Sequence, residues 1–283
     1  MSGPALERAT AFAPASVGNV AIGFDILGFA IDTLGDRVTV SRSAGAGVEV
    51  TAVRGVAGEL PREARDNTAG RALLALQEAV RPDFGFSLEI DKGIPLGSGL
   101  GGSAASAVGA VVAANALLPR PVSRLELLKF AMAGEAVASG TRHADNIAPS
   151  LFGGLVLTVG IDHPRVKQIP VPAAIRAVIV HPHMYLATAQ ARSILKLSVD
   201  LSDFVWQTAH LLKARDQRRG AMEAGALGCS ISGAGPSMFA WTLEPTAQAV
   251  LAAMRREFAR QSLATDHWVV EVRSAGARLI DLP

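Results

Sequence analysis

The stretch "IPLGSGLGGSAAS" (94–106) combines four glycines with small side chains, and the uncharged stretch "AVGAVVAANALL" (107–118) follows it. Before it, "FSLEI" (86–90) alternates apolar and polar residues as a β-strand does. The order is therefore strand, glycine loop and helix, and the pattern predicts a buried helix over 102–118 that opens directly from the loop.

A loop of this kind can bind an anion. The start of a helix leaves backbone N–H groups unpaired at the positive end of the helix dipole, and glycine lets a phosphate approach without a Cβ in the way. A tight turn that only packs the helix remains the structural alternative. No Gly-Lys-Ser/Thr follows, so the loop is not a Walker A loop, and the dinucleotide spacing G-x-G-x-x-G with a later acidic residue is also missing. The segment "GGSAA" (101–105) lacks the second glycine of a hydrolase nucleophile elbow.

Composition limits the remaining classes. The chain has 283 residues, 18% of them charged, with a net charge of +2 and no concentrated basic face, so nucleic-acid binding is not indicated. A single cysteine, Cys229, cannot form a disulfide within the chain and is expected to be a buried, inert thiol. With no recognisable signal peptide, these features predict a cytoplasmic protein that does not bind membranes.

Short alternating segments and helix-like segments are mixed along the chain, which predicts an α/β or α+β architecture. Ser123 and Glu126 form the S-x-x-E capping box of a helix start. Three prolines in "VGIDHPRVKQIPVP" (159–172) suggest a domain boundary near 155–165. Strands are predicted at 37–41, 48–53, 86–90, 154–160, 177–182, 237–241 and 267–272, and helices at 67–80, 102–118, 123–138, 188–196, 203–219 and 246–260.

Three motifs resemble those of the GHMP small-molecule kinases. "IPLGSGLGGSAAS" is similar to their phosphate-binding motif P-x-x-x-G-L-G-S-S-A-A, with Gly102 in place of one serine. "FAPASVGNVAIGFDILGFAI" (12–31) resembles their N-terminal substrate motif, and "SISGAGPSMFA" (230–240) their C-terminal glycine-rich motif. The resemblance implies a two-domain α+β fold: an S5-like domain over 1–160 with a left-handed βαβ crossover, and a ferredoxin-like domain over 161–283. Homodimers are common in this family.

The segment "GTRHADNIAPSLFGGLVL" (140–157) resembles the homoserine kinases among these enzymes, as do "ATAQARSIL" (187–195) and "FDILGFAI". The resemblance implies ATP-dependent phosphorylation of the L-homoserine hydroxyl in threonine biosynthesis. Another kinase of the superfamily, of the mevalonate or sugar type, and a non-catalytic nucleotide-binding protein are the alternatives.

The acceptor would require a cation for its carboxylate and an anion for its ammonium group. Asp25 lies in an otherwise uncharged stretch, where a buried carboxylate needs a partner, although a loop Asp bonded to its own backbone is the structural alternative. By resemblance, Asp25 contacts the amino group. The residues expected to bind homoserine by the same resemblance are Asn19, Asp25, His143, Asn146 and Arg192.

Glu135 lies on the apolar stripe of its predicted helix, at helical spacing from Leu128, Ala131 and Met132. A metal ion would neutralise such a carboxylate, and Mg²⁺ prefers hard oxygen ligands together with nucleotide phosphates. By resemblance, Glu135 and Ser103 hold Mg²⁺, and together with Asp25 they are the expected catalytic residues. The expected ATP-binding residues are Pro95, Gly97, Ser98, Gly99, Leu100, Gly101, Gly102, Ser103, Ala104 and, near the adenine, Asn67, which is also the expected cap of its helix.

One part of the chain departs from the homoserine kinase pattern. Between "SDFVWQTAHLLK" (202–213) and "AMEAGALGCSISGAGPS" (221–237) the chain is shorter than the resemblance predicts. The family's additional helix and its segment with a second substrate-binding arginine have no counterpart here. No second arginine is therefore assigned to the homoserine carboxylate.

Overall fold

The computed structural model describes residues 6–21, 23–56, 60–140, 142–184 and 215–280. Two β-sheets, each covered by helices, make the α+β class that the sequence predicted. The strands are β1 Arg8–Val17, β2 Leu27–Ser43, β3 Val48–Gly55, β4 Gly85–Lys92, β5 Leu155–Val159, β6 Arg165–Ile169, β7 Ile175–Pro182, β8 Ala226–Ile231, β9 Met238–Leu243, β10 Thr265–Glu271 and β11 Arg278–Ile280. The helices are α1 Thr68–Val80, α2 Gly102–Leu117, α3 Arg124–Ser139, α4 Ile147–Phe152, α5 Arg215–Glu223 and α6 Ala247–Arg260.

The first sheet has seven strands. Its main order is β11-β1-β2-β4-β3, while β5 pairs with β2 and β6 pairs with β5. All pairings are antiparallel except β3 with β4, which are parallel and are connected through α1. This β3-α1-β4 unit is the place for the left-handed crossover implied by the resemblance, and its handedness stays a prediction.

Helix α2 is buried on nearly all sides, which explains its small, uncharged side chains. A Cβ on Gly109 would lie 2.6 Å from a methyl carbon of Val38, so α2 lies closely against β2. The N-cap residue before the helix is Gly101, which has no side chain to accept hydrogen bonds from the first turn. Close packing of α2 on the sheet therefore places an uncapped helix start beside β1 and β4.

The second sheet has the order β10-β7-β9-β8, and all its pairings are antiparallel. Helices α5 and α6 cover one face through a separate apolar cluster that includes Val178, Met254 and Phe258. On the other face, Ala177, Ile179 and Phe239 join the large core of the first sheet. The two sheets therefore pack through a continuous hydrophobic core.

The strand pairings can be compared with the predicted domain boundary between residues 160 and 161. Strand β6 follows that position but pairs with β5, and β11, near the end of the chain, pairs with β1. Chain segments on both sides of the division thus build the first sheet. The division itself stays a prediction.

Several local predictions are confirmed. Ser123 and Glu126 form the capping box at the start of α3, with the Ser123 N–H donating to the Glu126 carboxylate at 2.9 Å. Asn67 caps α1 and accepts hydrogen bonds from the N–H groups of Ala69 and Gly70 at 3.0 and 3.1 Å. Four strands, β1, β6, β8 and β11, and helix α4 were not predicted from the sequence. The predicted helix at 188–196 and most of the one at 203–219 lie outside the described residues.

Among the described residues, none of the helices combines the length and the apolar character needed to span a bilayer.

Candidate active site

The glycine loop adopts a backbone conformation that other residues rarely take. Gly97, Gly99 and Gly101 have φ values of 64°, 74° and 69°. A Cβ on Gly101 would lie 2.2 Å from Ser16 Oγ, and one on Gly99 would lie 2.5 Å from the Gly235 carbonyl oxygen. Leu100, between Gly99 and Gly101, is fully buried and packs in the hydrophobic core, which holds the loop in place. Gly99 and Gly101 therefore have both a conformational and a steric reason to be glycine.

Three successive carbonyl groups of the loop accept hydrogen bonds from within the protein. The Ser98 carbonyl accepts from Ser237 Oγ at 2.6 Å, and the Gly99 carbonyl accepts from Ser232 Oγ at 2.7 Å. The Leu100 carbonyl accepts from the Ser16 N–H at 3.0 Å. The negative ends of these peptide dipoles are thereby satisfied, next to a helix start whose dipole favours an anion.

A buried ion pair lies under the first turn of α2. Lys92 and Asp36 form a salt bridge with side chains that are 1% and 0% exposed. The Lys92 ammonium also donates to the Gly102 carbonyl at 2.7 Å, and Ser106 Oγ donates to Asp36 at 2.7 Å. This pair holds the end of β4 to the start of α2. The sequence analysis missed it, although a lysine at the end of a strand directly before the loop was a visible signal.

Ser103 and Glu135, the two residues expected to hold Mg²⁺, lie together. Ser103 Oγ donates to Glu135 Oε1 at 3.0 Å, across the contact between α2 and α3. Glu135 is 5% exposed. Burial raises the pKa of Glu135, although the positive charge of His143 and the Ser103 hydrogen bond act in the opposite direction. A carboxylate and a hydroxyl are hard oxygen donors, and a divalent cation would offset the cost of burying the charged carboxylate. This donor set fits Mg²⁺.

A second group of polar side chains is organised around Asp145, which the sequence analysis did not single out. Asp145 is 2% exposed. One of its oxygens is 2.8 Å from His143 Nδ1, and the other accepts from the Asn19 N–H at 3.1 Å and from Asn146 Nδ2 at 3.3 Å. A Cβ on Gly18 would lie 2.3 Å from Asp145 Oδ2. Asp145 therefore connects three of the predicted homoserine-binding residues.

Asp25 is close to this group. Its N–H donates to Asn19 Oδ1 at 2.8 Å, and both residues have positive φ values, 60° for Asp25 and 66° for Asn19. Asp25, His143 and Asp145 each present a nitrogen or carboxylate oxygen within 4.8 Å of the others. The turn with these two positive φ values places the Asp25 carboxylate beside Asp145 and His143.

The charge of His143 follows from these neighbours. Burial by itself lowers the pKa of His143, but the Asp145 hydrogen bond and the charges of Asp145, Glu135 and Asp25 outweigh it, so the pKa is raised. Because Asp145 accepts at Nδ1, the other nitrogen, Nε2, is left for another partner, and Nε2 is buried without a hydrogen bond among the described residues. His143 thus carries a buried polar atom near two carboxylates.

Other predicted site residues have mixed placements. Asn146 lies at the N-cap position of α4, but its side chain makes no cap bond and instead accepts from Ser16 Oγ at 3.0 Å. Asn67 uses Oδ1 for its cap and donates from Nδ2 to the Pro61 carbonyl at 2.8 Å, so its contact with adenine stays a prediction. Pro95 is half-buried before the loop, and Ala104 is buried in the first turn of α2. Arg192 lies outside the described residues.

Two family models match this chain. Residues 67–154 match the family model "GHMP kinases N terminal domain", and residues 213–260 match "GHMP kinases C terminal". The glycine loop and the Ser103–Glu135 pair lie within the first match. Fold and site therefore define a GHMP kinase.

Near full-length relatives narrow the class. The chain is 44% identical, over an alignment 310 residues long including gaps, to "Homoserine kinase" of Xylella fastidiosa (strain 9a5c). The alignment covers 98% of this chain and 95% of the relative. The chain is 46% identical over 308 residues to "Homoserine kinase" of Xanthomonas campestris pv. campestris (strain B100), covering 97% and 95%. A crystal structure of homoserine kinase from Cytophaga hutchinsonii superposes with a TM-score of 0.87 at 39% identity, covering 99% of each chain. The chain belongs to the homoserine kinase family.

Proposed function

We propose that this protein is a homoserine kinase, which transfers the γ-phosphoryl group of ATP to the hydroxyl of L-homoserine and forms O-phospho-L-homoserine for threonine biosynthesis. One observation carries the proposal: in a chain 44% identical to homoserine kinases, the glycine loop opens α2 directly beside the Ser103–Glu135 pair. Phosphoryl transfer depends mainly on alignment and charge stabilisation, and this arrangement offers both.

The loop would bind the triphosphate of ATP. Its glycines carry no side chain that could stand between the backbone and a phosphate, and the uncapped first turn of α2 presents N–H groups at the positive end of the helix dipole. Of the expected ATP-binding residues, those from Gly97 to Ala104 form this loop and first turn. The Lys92–Asp36 pair supports the turn from below, because the ammonium group donates to the Gly102 carbonyl.

Glu135 and Ser103 would hold Mg²⁺. When bound, the ion would supply charge neutralisation at the β- and γ-phosphates. Glu135 would be ionised by the ion's charge despite its burial, and Ser103 would turn its hydroxyl oxygen toward the ion instead of donating to Glu135. The two side chains would thereby keep the metal at the start of α2.

The polar group around Asp145 would bind L-homoserine. Asp25 would accept from the ammonium group, and Asn19, His143 and Asn146 would orient the amino acid. Arg192 would pair with the substrate carboxylate. A carboxylate that is paired with an ammonium group is a weak proton acceptor, so no general base is assigned, and the acceptor proton would leave late to phosphate or water.

An assay of coupled ADP release with three acceptors, L-homoserine, mevalonate and galactose, tests the proposal. Turnover with homoserine at a kcat/KM at least about a hundredfold above the other two is expected, because a site built to pair with charged groups rejects substrates that lack one of them. Mevalonate lacks the ammonium group, and galactose lacks both the ammonium group and the carboxylate. Preference for mevalonate or galactose would support the alternative kinases. Nucleotide binding without turnover of any acceptor would support a non-catalytic protein. A cytoplasmic location and a homodimer belong to the same proposal.

A further inference from the structure

A chain of hydrogen bonds runs from the second sheet to the glycine loop. Ser237 Oγ donates to the Ser98 carbonyl at 2.6 Å, and the Ser237 N–H also donates to the same oxygen at 3.3 Å. Behind Ser237, His181 Nδ1 lies 3.1 Å from Ser237 Oγ. All three residues are buried, with exposed fractions of 2% for Ser98, 0% for Ser237 and 4% for His181.

The chemistry of these groups determines which atom carries each hydrogen. A carbonyl oxygen can only accept, so the single hydroxyl hydrogen of Ser237 belongs to its bond with Ser98. Ser237 Oγ can then only accept from the imidazole, which requires a hydrogen on His181 Nδ1. The contacts therefore select the Nδ1–H form of His181.

We propose that His181 is a positioning residue for the nucleotide loop and acts through Ser237. Its N–H holds the Ser237 hydroxyl in the one rotamer that reaches Ser98, and Ser98 lies between the glycines that give the loop its shape. The inference rests on the proposed binding of ATP by this loop. In this proposal the C-terminal glycine-rich motif (230–240) helps to shape the nucleotide loop, because Ser237 belongs to that motif.

The surroundings of His181 keep this donor in place. His181 lies at the end of β7, opposite Asp266 of β10, and His183 Nε2 lies 3.1 Å from Asp266 Oδ2. Burial lowers the pKa of His181, an effect that Asp266 opposes and His183 reinforces. Because Nδ1 carries a hydrogen in both the selected neutral form and the charged form, the bond to Ser237 persists when the ring is protonated.

Removing the donor should weaken nucleotide binding and leave the acceptor pocket intact. Without the imidazole N–H, the Ser237 hydroxyl can rotate away from Ser98, and one loop carbonyl then loses a buried hydrogen bond. The homoserine pocket is organised by Asp145 and Asn19. Asn19 Nδ2 donates to the Gly233 carbonyl of the C-terminal glycine motif at 3.3 Å, but neither pocket residue bonds His181, Ser237 or Ser98 in the contacts described above. The effect should therefore fall on ATP and spare homoserine.

Three single variants, one double variant and one control test the proposal. His181→Asn keeps an N–H at the δ position of the side chain, whereas His181→Gln moves it to the ε position and Ser237→Ala removes the hydroxyl. We expect His181→Gln and Ser237→Ala each to raise the KM for ATP and the dissociation constant of Mg-ADP about tenfold, the value of one buried hydrogen bond. The KM for homoserine should stay within about twofold of the wild-type value, and His181→Asn should remain near the wild type in both measurements.

The double variant His181→Gln/Ser237→Ala should be no worse than either single variant, because both break the same chain. Thr242→Val is the control: it removes a buried hydroxyl of β9 that bonds Thr246 at 2.6 Å, away from the loop. The proposal is overturned if His181→Gln and Ser237→Ala affect nucleotide binding no more than Thr242→Val, or if their effects multiply in the double variant. Wild-type protein that binds Mg-ADP but does not phosphorylate homoserine would contradict the proposed function alone, since the binding comparison remains valid.

Discussion

Replacing Gly99 by alanine should damage both the stability of the protein and its nucleotide site. Gly99 has a φ of +74°, and a Cβ there would lie 2.5 Å from the Gly235 carbonyl oxygen and 2.7 Å from that of Ser232. The left-handed backbone costs an L-residue about 1–2 kcal/mol. Because both blocking atoms belong to the backbone, relieving the overlap should cost about 1–3 kcal/mol more. The free energy of unfolding should fall by about 2–5 kcal/mol in total.

Gly140 provides a matched control for the backbone effect. It ends α3 with the same φ of +74°, and a Cβ there would meet nothing within 4 Å. Gly140→Ala should therefore lower the free energy of unfolding by only about 1–2 kcal/mol and leave the KM for ATP unchanged. Gly99→Ala should also raise the KM for ATP at least about tenfold, because the loop must move to make room for the methyl group.

Urea unfolding of the two variants and the wild type, followed by ATP titrations at saturating homoserine, makes the comparison. Unfolding midpoints can be compared directly if the m-values stay constant. Equal losses of unfolding free energy for Gly99→Ala and Gly140→Ala would show that the carbonyl groups of Ser232 and Gly235 do not lie this close to Gly99 in solution. An unchanged KM for ATP in Gly99→Ala would separate the loop from nucleotide binding.

Three further predictions concern charged groups. Asp25→Asn should raise the KM for homoserine at least about tenfold with little change in kcat, as measured by ADP release, if Asp25 binds the ammonium group and takes no proton; a large fall in kcat alone would contradict this. Glu135→Gln should abolish phosphoryl transfer and, in the nucleotide-free protein, flatten the pH dependence of Tm. Because burial raises the pKa of Glu135, the folded state keeps its proton while the unfolded state loses it, so wild-type stability falls as the pH rises from the ordinary glutamate pKa toward the raised one; identical Tm profiles for both proteins would argue against it. Lys92→Met should cost about 3–5 kcal/mol in urea unfolding, since it leaves the charge of Asp36 buried, and Lys92→Met/Asp36→Leu should recover part of that loss; a double variant less stable than the single one would refute this account.

Local features of this protein could be predicted from nearby residues alone. The capping box at Ser123 needs only two side chains three positions apart, and the helix start at Gly101 follows from adjacent glycines and small residues. The spacing of apolar residues placed Glu135 on the apolar stripe of α3. Its pairing with Ser103 was expected from the family resemblance alone, because α2 is buried on nearly all sides and has no separate apolar face. The capping box, the helix start and the position of Glu135 on α3 each depend on residues within a few helical turns of one another.

Distant contacts could not be predicted in this way. No local pattern distinguished Asp145 from other polar residues of the chain. Its role became visible only in the folded protein, where its carboxylate accepts a hydrogen bond from the N–H of Asn19, 126 positions away. The return of β11 to β1 likewise depends on a three-residue strand near the chain's end whose sequence carries little strand signal. Such contacts depend on how whole sheets pack, and the residues concerned carry no local pattern that names their partner.

By itself, the sequence determined a glycine loop at the mouth of a buried helix, because φ preferences and helix capping act between neighbouring residues. Only the tertiary structure decided what holds that loop, since Ser237 reaches the Ser98 carbonyl from 139 positions away. Packing of the second sheet against the first brings the two together. A buried carbonyl must find a donor wherever the folded chain supplies one, and the order of residues along the chain does not say where that is.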